Sequence, residues 1–488
     1  MQLLPEAVLV LTALALLGVA LASEHRTGQP FSVRNAVVIA ASGILIAAFA
    51  LTRVPSETAQ GGLILMDPVS RLFKAVVLGL GLLAVLLPPA HKEIRHVGEF
   101  FALLLFALTG LLLTTGTNHL LFLFVALELA SLSLYLLAGF PRTARAAEAS
   151  LKYFLFGGVS AAFLLFGLSL IYGFSHAATL SEVAVALKSG ASPLAMTGLV
   201  MVLVGLGFKL AAAPFHYWAP DVYQGAPATS VAMVSAASKV VGLVVLVRFL
   251  IIGFHSAGGS AAWGAMSAGW SLWLAVLAAV SIIFGNVLAL AQTSVRRLLA
   301  YSAVANTGYL LVGICANGSA SAGASLFYVV VYGLATLGAL AVTASVERAH
   351  GNDSPQAFAG LVHRSPLQAV ALFIFMASLA GIPPLAGFIG KFAIFSSALA
   401  GTMNGENSGI AWLVGLASMM SAVSLYYYLS ILKQAFVKDA TEDTPVLLPL
   451  GHSLAVGIPA IALVILGLFP ALLLEPISKA VAESLARL

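Results

Sequence analysis

The sequence predicts an all-α integral membrane protein of about fourteen spanning helices, with two inverted five-helix repeats that each contain a broken helix. Three observations carry that reading. The 488 residues are 61% hydrophobic and only 8% charged, where a soluble domain averages about 25% charged residues. The apolar runs are continuous rather than alternating, which selects helices over a barrel. Two of the runs are interrupted by proline with a lysine close by: KLAAAPFH from Lys209 and GIPPLAGFIGK ending at Lys391.

A spanning helix needs roughly 20 apolar residues. On that rule spans fall near 5–22, 35–52, 67–89, 98–115, 118–140, 150–173, 194–217, 224–252, 270–291, 297–315, 321–346, 366–399, 409–436 and 451–474. Met1 to Ala22 has no basic leader and reads as a first span rather than a cleaved signal. With both termini outside, the cytoplasmic loops carry Arg26, Arg34, Lys92, Arg95, Arg142, Arg145, Arg296, Arg297, Arg348, Arg364, Lys433 and Lys438. Arg53, Arg71, Lys188, Lys479 and Arg487 fall on the other side. Twelve against five follows the positive-inside rule, which also accounts for the net charge of +5 better than a nucleic-acid partner does. The breaks lie in spans seven and twelve, so the repeat unit has five helices. An odd number forces the two copies to be inverted, and paired breaks point to a transport site. The domains expected are 1–97 (three helices), 98–252 (first repeat), 253–438 (second repeat) and 439–488 (last helix).

Four ionisable residues lie deep in apolar sequence: Glu128, Lys209, Lys239 and Lys391. A charge at the centre of a bilayer helix costs roughly 2.5–3.5 kcal/mol or more, so such groups face protein or water. A lysine there can release its proton as its pairing changes, which arginine cannot do. Gluing helices together explains one such charge but poorly explains three lysines against one glutamate. Pro214 frees backbone carbonyls, which predicts a hydrated pocket beside Lys209. His216 stands seven residues beyond Lys209, two turns on along the same helix face, and is a candidate relay. Lys152 extends the polar path or snorkels to the interface. Asp67, Arg71 and Lys74 read as an interfacial cluster, and His91 and His96 as solvated. The sequence has a single cysteine, Cys315, and no GxGxxG, P-loop, CxxC or paired-histidine haem pattern. No nucleotide, metal or redox cofactor is therefore expected on this chain.

The run LGFKLAAAPFHYWAPDVYQGAPATS with the following ASK, together with AYSAVANTGYLLVG at 300–313 and GIPPLAGFIGKF at 381–392, resembles subunit N of bacterial NADH-quinone oxidoreductase, respiratory complex I. That subunit belongs to the antiporter-like family, which includes subunits L and M and the Mrp-type cation/proton antiporters. Subunits L and M usually read PDAH or PDAM where this chain has PDVYQG, and subunit M carries glutamate where this chain has Lys391. Subunit L adds a long lateral helix, which does not follow span fourteen here. An Mrp-type Na⁺/H⁺ antiporter subunit is the alternative.

The resemblance implies that Glu128 and Lys209 pair in a first half-channel, that Lys239 bridges to the second, and that Lys391 ends it. His216 would lie on a hydrated axis between them. Spans four to eight and nine to thirteen would be the inverted repeats. NADH, FMN, iron–sulfur clusters and quinone would belong to partner subunits. The expected neighbours are subunits M, K and J, in the bacterial inner membrane with both termini periplasmic.

Overall fold

A computed structural model describes residues 2–55, 63–88, 94–188, 190, 192–264, 266–403, 410–440, 446 and 449–486. His91, Lys92 and Arg487 lie outside these. Among the described residues, thirteen helices are long and apolar enough to cross a membrane. A fourteenth crossing is divided into two shorter apolar helices, so the all-helical, fourteen-span expectation holds. The chain packs as two units.

The first unit comprises Met1–Leu206, Gly225–Gly253 and Glu483–Leu488. It holds α1 (Leu4–Thr27), α2 (Val33–Thr52), α3 (Pro68–Val85), α4 (Val97–Thr115), α5 (Leu120–Ala138), α6 (Ala144–Ser175), α7 (Leu180–Leu187) and most of α8 (Pro193–Leu210). Side-chain caps set several of the starts: Asp67 accepts the Ser70 N–H of α3, and Thr143 accepts the Ala146 N–H of α6. The Thr143 cap begins α6 in polar sequence, six residues before the predicted edge, where an apolar-run rule sees nothing. The short α7 starts with a Thr179/Glu182 capping box. It is an amphipathic helix too short to register as a span.

The eighth predicted span is not one regular helix. After α9 (Ala219–Gly225), α10 (Ala228–Ala232) runs into a π-helical turn, Met233–Ser238. Then come α11 (Lys239–Val247) and a second π-helical turn, Arg248–Gly253. Residues Ala219–Gln224 of α9 belong to the second unit. Gly167 and Gly198 let α6 and α8 approach backbone to backbone. A Cβ on Gly167 would stand 2.6 Å from the Gly198 carbonyl oxygen, a contact that only small residues permit.

The interfacial reading of Asp67 and Lys74 is overturned. Both are buried, and each pairs with a distant helix: Lys74 Nζ lies 2.6 Å from Glu6 Oε1, and Arg248 Nη2 lies 2.6 Å from Asp67 Oδ1. Once buried, each of these charges needs an opposite charge beside it, because an uncompensated buried charge is strongly unfavourable. The partners sit 68 and 181 residues away in sequence, so no local pattern reveals them. Arg71 donates to the Val54 carbonyl.

The second unit comprises Gly207–Gln224 and Phe254–Ala482. It contains α12 (Trp270–Leu290), α13 (Val295–Cys315), α14 (Ser319–His350), the short α15 (Leu361–Arg364), α16 (Pro366–Ala380), α17 (Ala386–Met403), α18 (Ala411–Val437) and α19 (Leu450–Leu468). Most of α20 (Ala471–Ala486) also lies here. The last predicted span is thus two helices, parted at Phe469 and Pro470. Helices α13 and α14 are buried along nearly their whole apolar length. Gly285 and Gly308 bring α12 and α13 into close contact: a Cβ on Gly308 would lie 2.8 Å from the Ala278 carbonyl oxygen.

Candidate functional site

Each broken helix ends beside a buried lysine. Helix α8 stops at Leu210, one residue after Lys209, and Ala211 turns the chain with φ +55°. The groups released there are taken up by protein. The Thr307 hydroxyl of α13 donates to the Leu210 carbonyl at 2.6 Å, and the Ala213 N–H donates to the Ser281 hydroxyl of α12 at 2.9 Å. Trp218 Nε1 donates to the Phe208 carbonyl at 3.2 Å. These contacts pair backbone groups that Pro214 and the turn would otherwise leave open. The Ala213–Pro214 peptide is cis, as is Pro383–Pro384 at the other break.

His216 does not continue the α8 face. The turn at Ala211 removes the helical register on which the two-turn spacing relied. The imidazole is instead buried after the break, stacked on Tyr217 at 4.7 Å between centroids and edge-on to Tyr301 at 6.2 Å. Its Nδ1 has no hydrogen-bond partner among the described residues. The PDVYQG stretch beyond it is helical. Asp221 Oδ1 accepts from Arg297 Nη1 at 2.6 Å, which ties α9 to the start of α13.

At the second break, Gly381 caps α16 with φ +85°. Lys391, on α17, turns back to this end. Its ammonium donates to the carbonyls of Leu379 at 2.9 Å and Ala380 at 3.3 Å, and to the Ser421 hydroxyl at 3.0 Å. It also stands 4.9 Å from the centre of the Tyr309 ring. The end of α16 thus presents its unsatisfied carbonyls and negative dipole end to a cation.

From Tyr309 a hydrogen-bonded network extends through the second unit. Asn286 Nδ2 donates to the Tyr309 hydroxyl at 3.0 Å, and the Tyr427 hydroxyl donates to Asn286 Oδ1 at 3.0 Å. Nearby, the Tyr328 hydroxyl donates to Asn306 Oδ1 at 2.6 Å, and the Ser302 and Tyr428 hydroxyls share a hydrogen bond at 2.5 Å. None of these uncharged residues was singled out from sequence, because charge was the criterion. The signal was present as polar residues one helical turn apart, Ser302 and Asn306, in an otherwise apolar run.

The other two ionisable residues belong to the first unit. Lys239 is buried and opens α11 directly after a π-helical turn. Glu128 is partly buried on α5. Lys209 falls in the second unit with Lys391 and His216. Lys152 pairs with Glu148 one turn earlier on α6 at 2.6 Å, on a half-exposed face. His96 precedes the first residue of α4, makes no side-chain cap there, and lies 3.4 Å from Glu99. No group of three or more His, Cys, Asp or Glu side chains suited to a metal occurs among the described residues.

Residues 117–421 match the family described as NADH:quinone oxidoreductase/Mrp antiporter, TM. The chain belongs to this family. A relative named NADH-quinone oxidoreductase subunit N 2, from Acidobacterium capsulatum, is 44% identical over 92% of each chain. Among solved structures, a chain of Thermus thermophilus respiratory complex I with bound aureothin is 33% identical, with a TM-score of 0.78 over 96% of this chain and 98% of that one. A chain of the Mrp complex from Dietzia sp. DQ12-45-1b shares the fold, with a TM-score of 0.81 at 21% identity over 98% of this chain and 97% of that one. This chain has a lysine at each helix break, and both breaks lie among residues that the family match covers.

Proposed function

We propose that this chain is the N-type membrane subunit of a bacterial NADH-quinone oxidoreductase and moves protons through its buried Glu and Lys residues. The observation that carries the proposal is the pair of interrupted helices, each with a buried lysine at its break, in a chain whose relatives bear the subunit N name. NADH, FMN, iron–sulfur clusters and quinone belong to partner subunits in this reading. Subunits M, K and J are its neighbours, and it lies in the inner membrane with both termini periplasmic. Spans four to eight and nine to thirteen act as the two inverted repeats, within the domain limits set out above.

Glu128 and Lys209 form a pair that opens and closes in response to charge changes in neighbouring subunits. At an effective dielectric of ~20, unit charges 4 Å apart attract by about 4 kcal/mol. That is roughly a thousandfold in the lysine's hold on its proton. When the pair opens, the proton passes by way of Lys239 to Lys391. Orphaned Nδ1 gives His216 a place to accept a proton between them, and Lys152 extends the path at its entrance. The hydroxyl and amide network around Tyr309 offers Lys391 a hydrogen-bonded route onward.

Lys209→Ala in the assembled complex tests this. Quinone reduction with lost or sharply reduced proton pumping is expected; unchanged pumping per electron would remove Lys209 from the switch. The second reading, an Mrp-type antiporter, has the shared fold in its favour. It predicts cation-dependent proton exchange by the chain in vesicles that hold no redox subunit.

A further inference from the structure

Outside the candidate path, the first unit contains a cavity of about 510 Å³, open on one side, lined by Arg95, His96, Leu103, Leu136, Phe140 and Arg142 among others. It lies where α4 begins and α5 ends, which is the depth of the headgroup layer at that face of a bilayer. Its two halves differ in chemistry. Arg95 and Arg142 are exposed at the polar end, and among the described residues neither has a recorded carboxylate partner. Glu99, in the first turn of α4, lies against His96. The other half is apolar: Leu103 lines it from α4, Phe140 from just beyond the end of α5, and Leu136, itself 59% exposed, from α5.

We propose that this cavity is a binding site for one anionic phospholipid. The phosphate would sit between Arg95 and Arg142, and the glycerol and upper acyl carbons would lie along Leu103, Leu136 and Phe140. Paired guanidiniums suit phosphate oxygens because each presents a planar fork of donors. The apolar wall separates a lipid from a free phosphate, which would leave that wall wet. The local structure holds the charge in place. Arg142 sits in a left-handed turn, φ +56°, with its N–H donating to the Gly139 carbonyl, and Phe140 packs edge-on against Phe100 at 5.2 Å.

The test uses the full chain in its complex, with a diazirine analogue of leucine at position 136. The complex is reconstituted in nanodiscs in which phosphatidylglycerol is the minor lipid and phosphatidylcholine the major one. At about fivefold per basic residue, the ratio of phosphatidylglycerol to phosphatidylcholine among the crosslinks is expected at up to ~30-fold above their ratio in the bilayer. Arg95→Gln with Arg142→Gln should return crosslinking to the bilayer ratio, while Arg95→Lys with Arg142→Lys, which keeps the charge without the planar fork, should keep only part of the enrichment. Unenriched crosslinking in the unsubstituted chain overturns the proposal. So does crosslinking mainly to a protein subunit, which would make the cavity an interface. Soluble glycerophosphate competing as well as phosphatidylglycerol overturns it too, because the apolar wall would then contribute nothing.

Discussion

At the residue scale, Lys391 shows how a membrane protein can hold an ammonium on neutral groups. Its recorded partners are two carbonyls at the end of α16, a serine hydroxyl and an aromatic face. Lys391→Met should leave those carbonyls buried and unpaired, at a cost of about 1–3 kcal/mol in thermal unfolding. Lys391→Arg restores a permanently charged donor that cannot release its proton. Under the proposed function, arginine should therefore recover much of the stability while pumping stays absent. Recovery of pumping by arginine would show that Lys391 supplies charge alone. The residue itself was legible in sequence, because a lysine in AGFIGKFAIF has no bland explanation at this hydrophobicity. Its partners were not, because main-chain carbonyls carry no sequence signal.

At the element scale, the breaks are held by hydroxyls from neighbouring helices. Thr307→Val removes the donor to the Leu210 carbonyl and should cost about 1–3 kcal/mol. Amide exchange at residues 207–213 should rise more than elsewhere, and uniform exchange would mean that the contact does not hold the turn. Close helix contacts give a second prediction. Gly308→Leu forces side-chain volume against the backbone of α12 and should lower stability by about 1–3 kcal/mol or more. Gly415→Leu, on α18 where nothing lies within 4 Å of the added Cβ, should be near neutral. Thermal unfolding of both variants makes the comparison. Proline placed the breaks within a few residues from sequence alone. The π-helical turns on either side of α11 went unseen, because VSAASKVVGLVV has the composition of an ordinary span.

At the scale of the whole molecule, the first unit is fastened by buried charge across very long sequence separations. Asp67 on the threshold of α3 accepts from Ser70, from Arg248 and, 417 residues away, from Ser484 at 2.7 Å. Burial alone would raise its carboxyl; Arg248 and the hydrogen bonds from Ser70 and Ser484 bring it below its ordinary value of 3.8. A carboxyl lowered on folding contributes stability that is whole above its unfolded value. That contribution is lost as the pH falls through the folded value. Asp67→Asn should remove this acid-dependent component and leave Arg248 buried without its counter-charge. The cost should be about 3–5 kcal/mol at neutral pH, read from thermal unfolding across a pH series. An unchanged acid limb would place the pH dependence elsewhere. Function at this scale divides on energy source: N-type behaviour requires the redox partners, and antiport by the chain alone would favour the Mrp reading.

Hydrophobicity, charge spacing and proline by themselves determined that this chain spans a membrane many times as helices, and where two of those helices break. They determine it because a bilayer leaves backbone polar groups few ways to be satisfied, so composition translates almost directly into architecture. Only the tertiary structure decided which charges pair. It took Asp67 and Lys74 from the interface to buried partners, moved His216 off the α8 face, and joined Tyr309, beside Lys391, to Asn286 and Tyr427 from other helices. Those outcomes depend on which helix faces meet, and helix packing in a membrane rests on small-residue contacts and single hydrogen bonds that local sequence does not record.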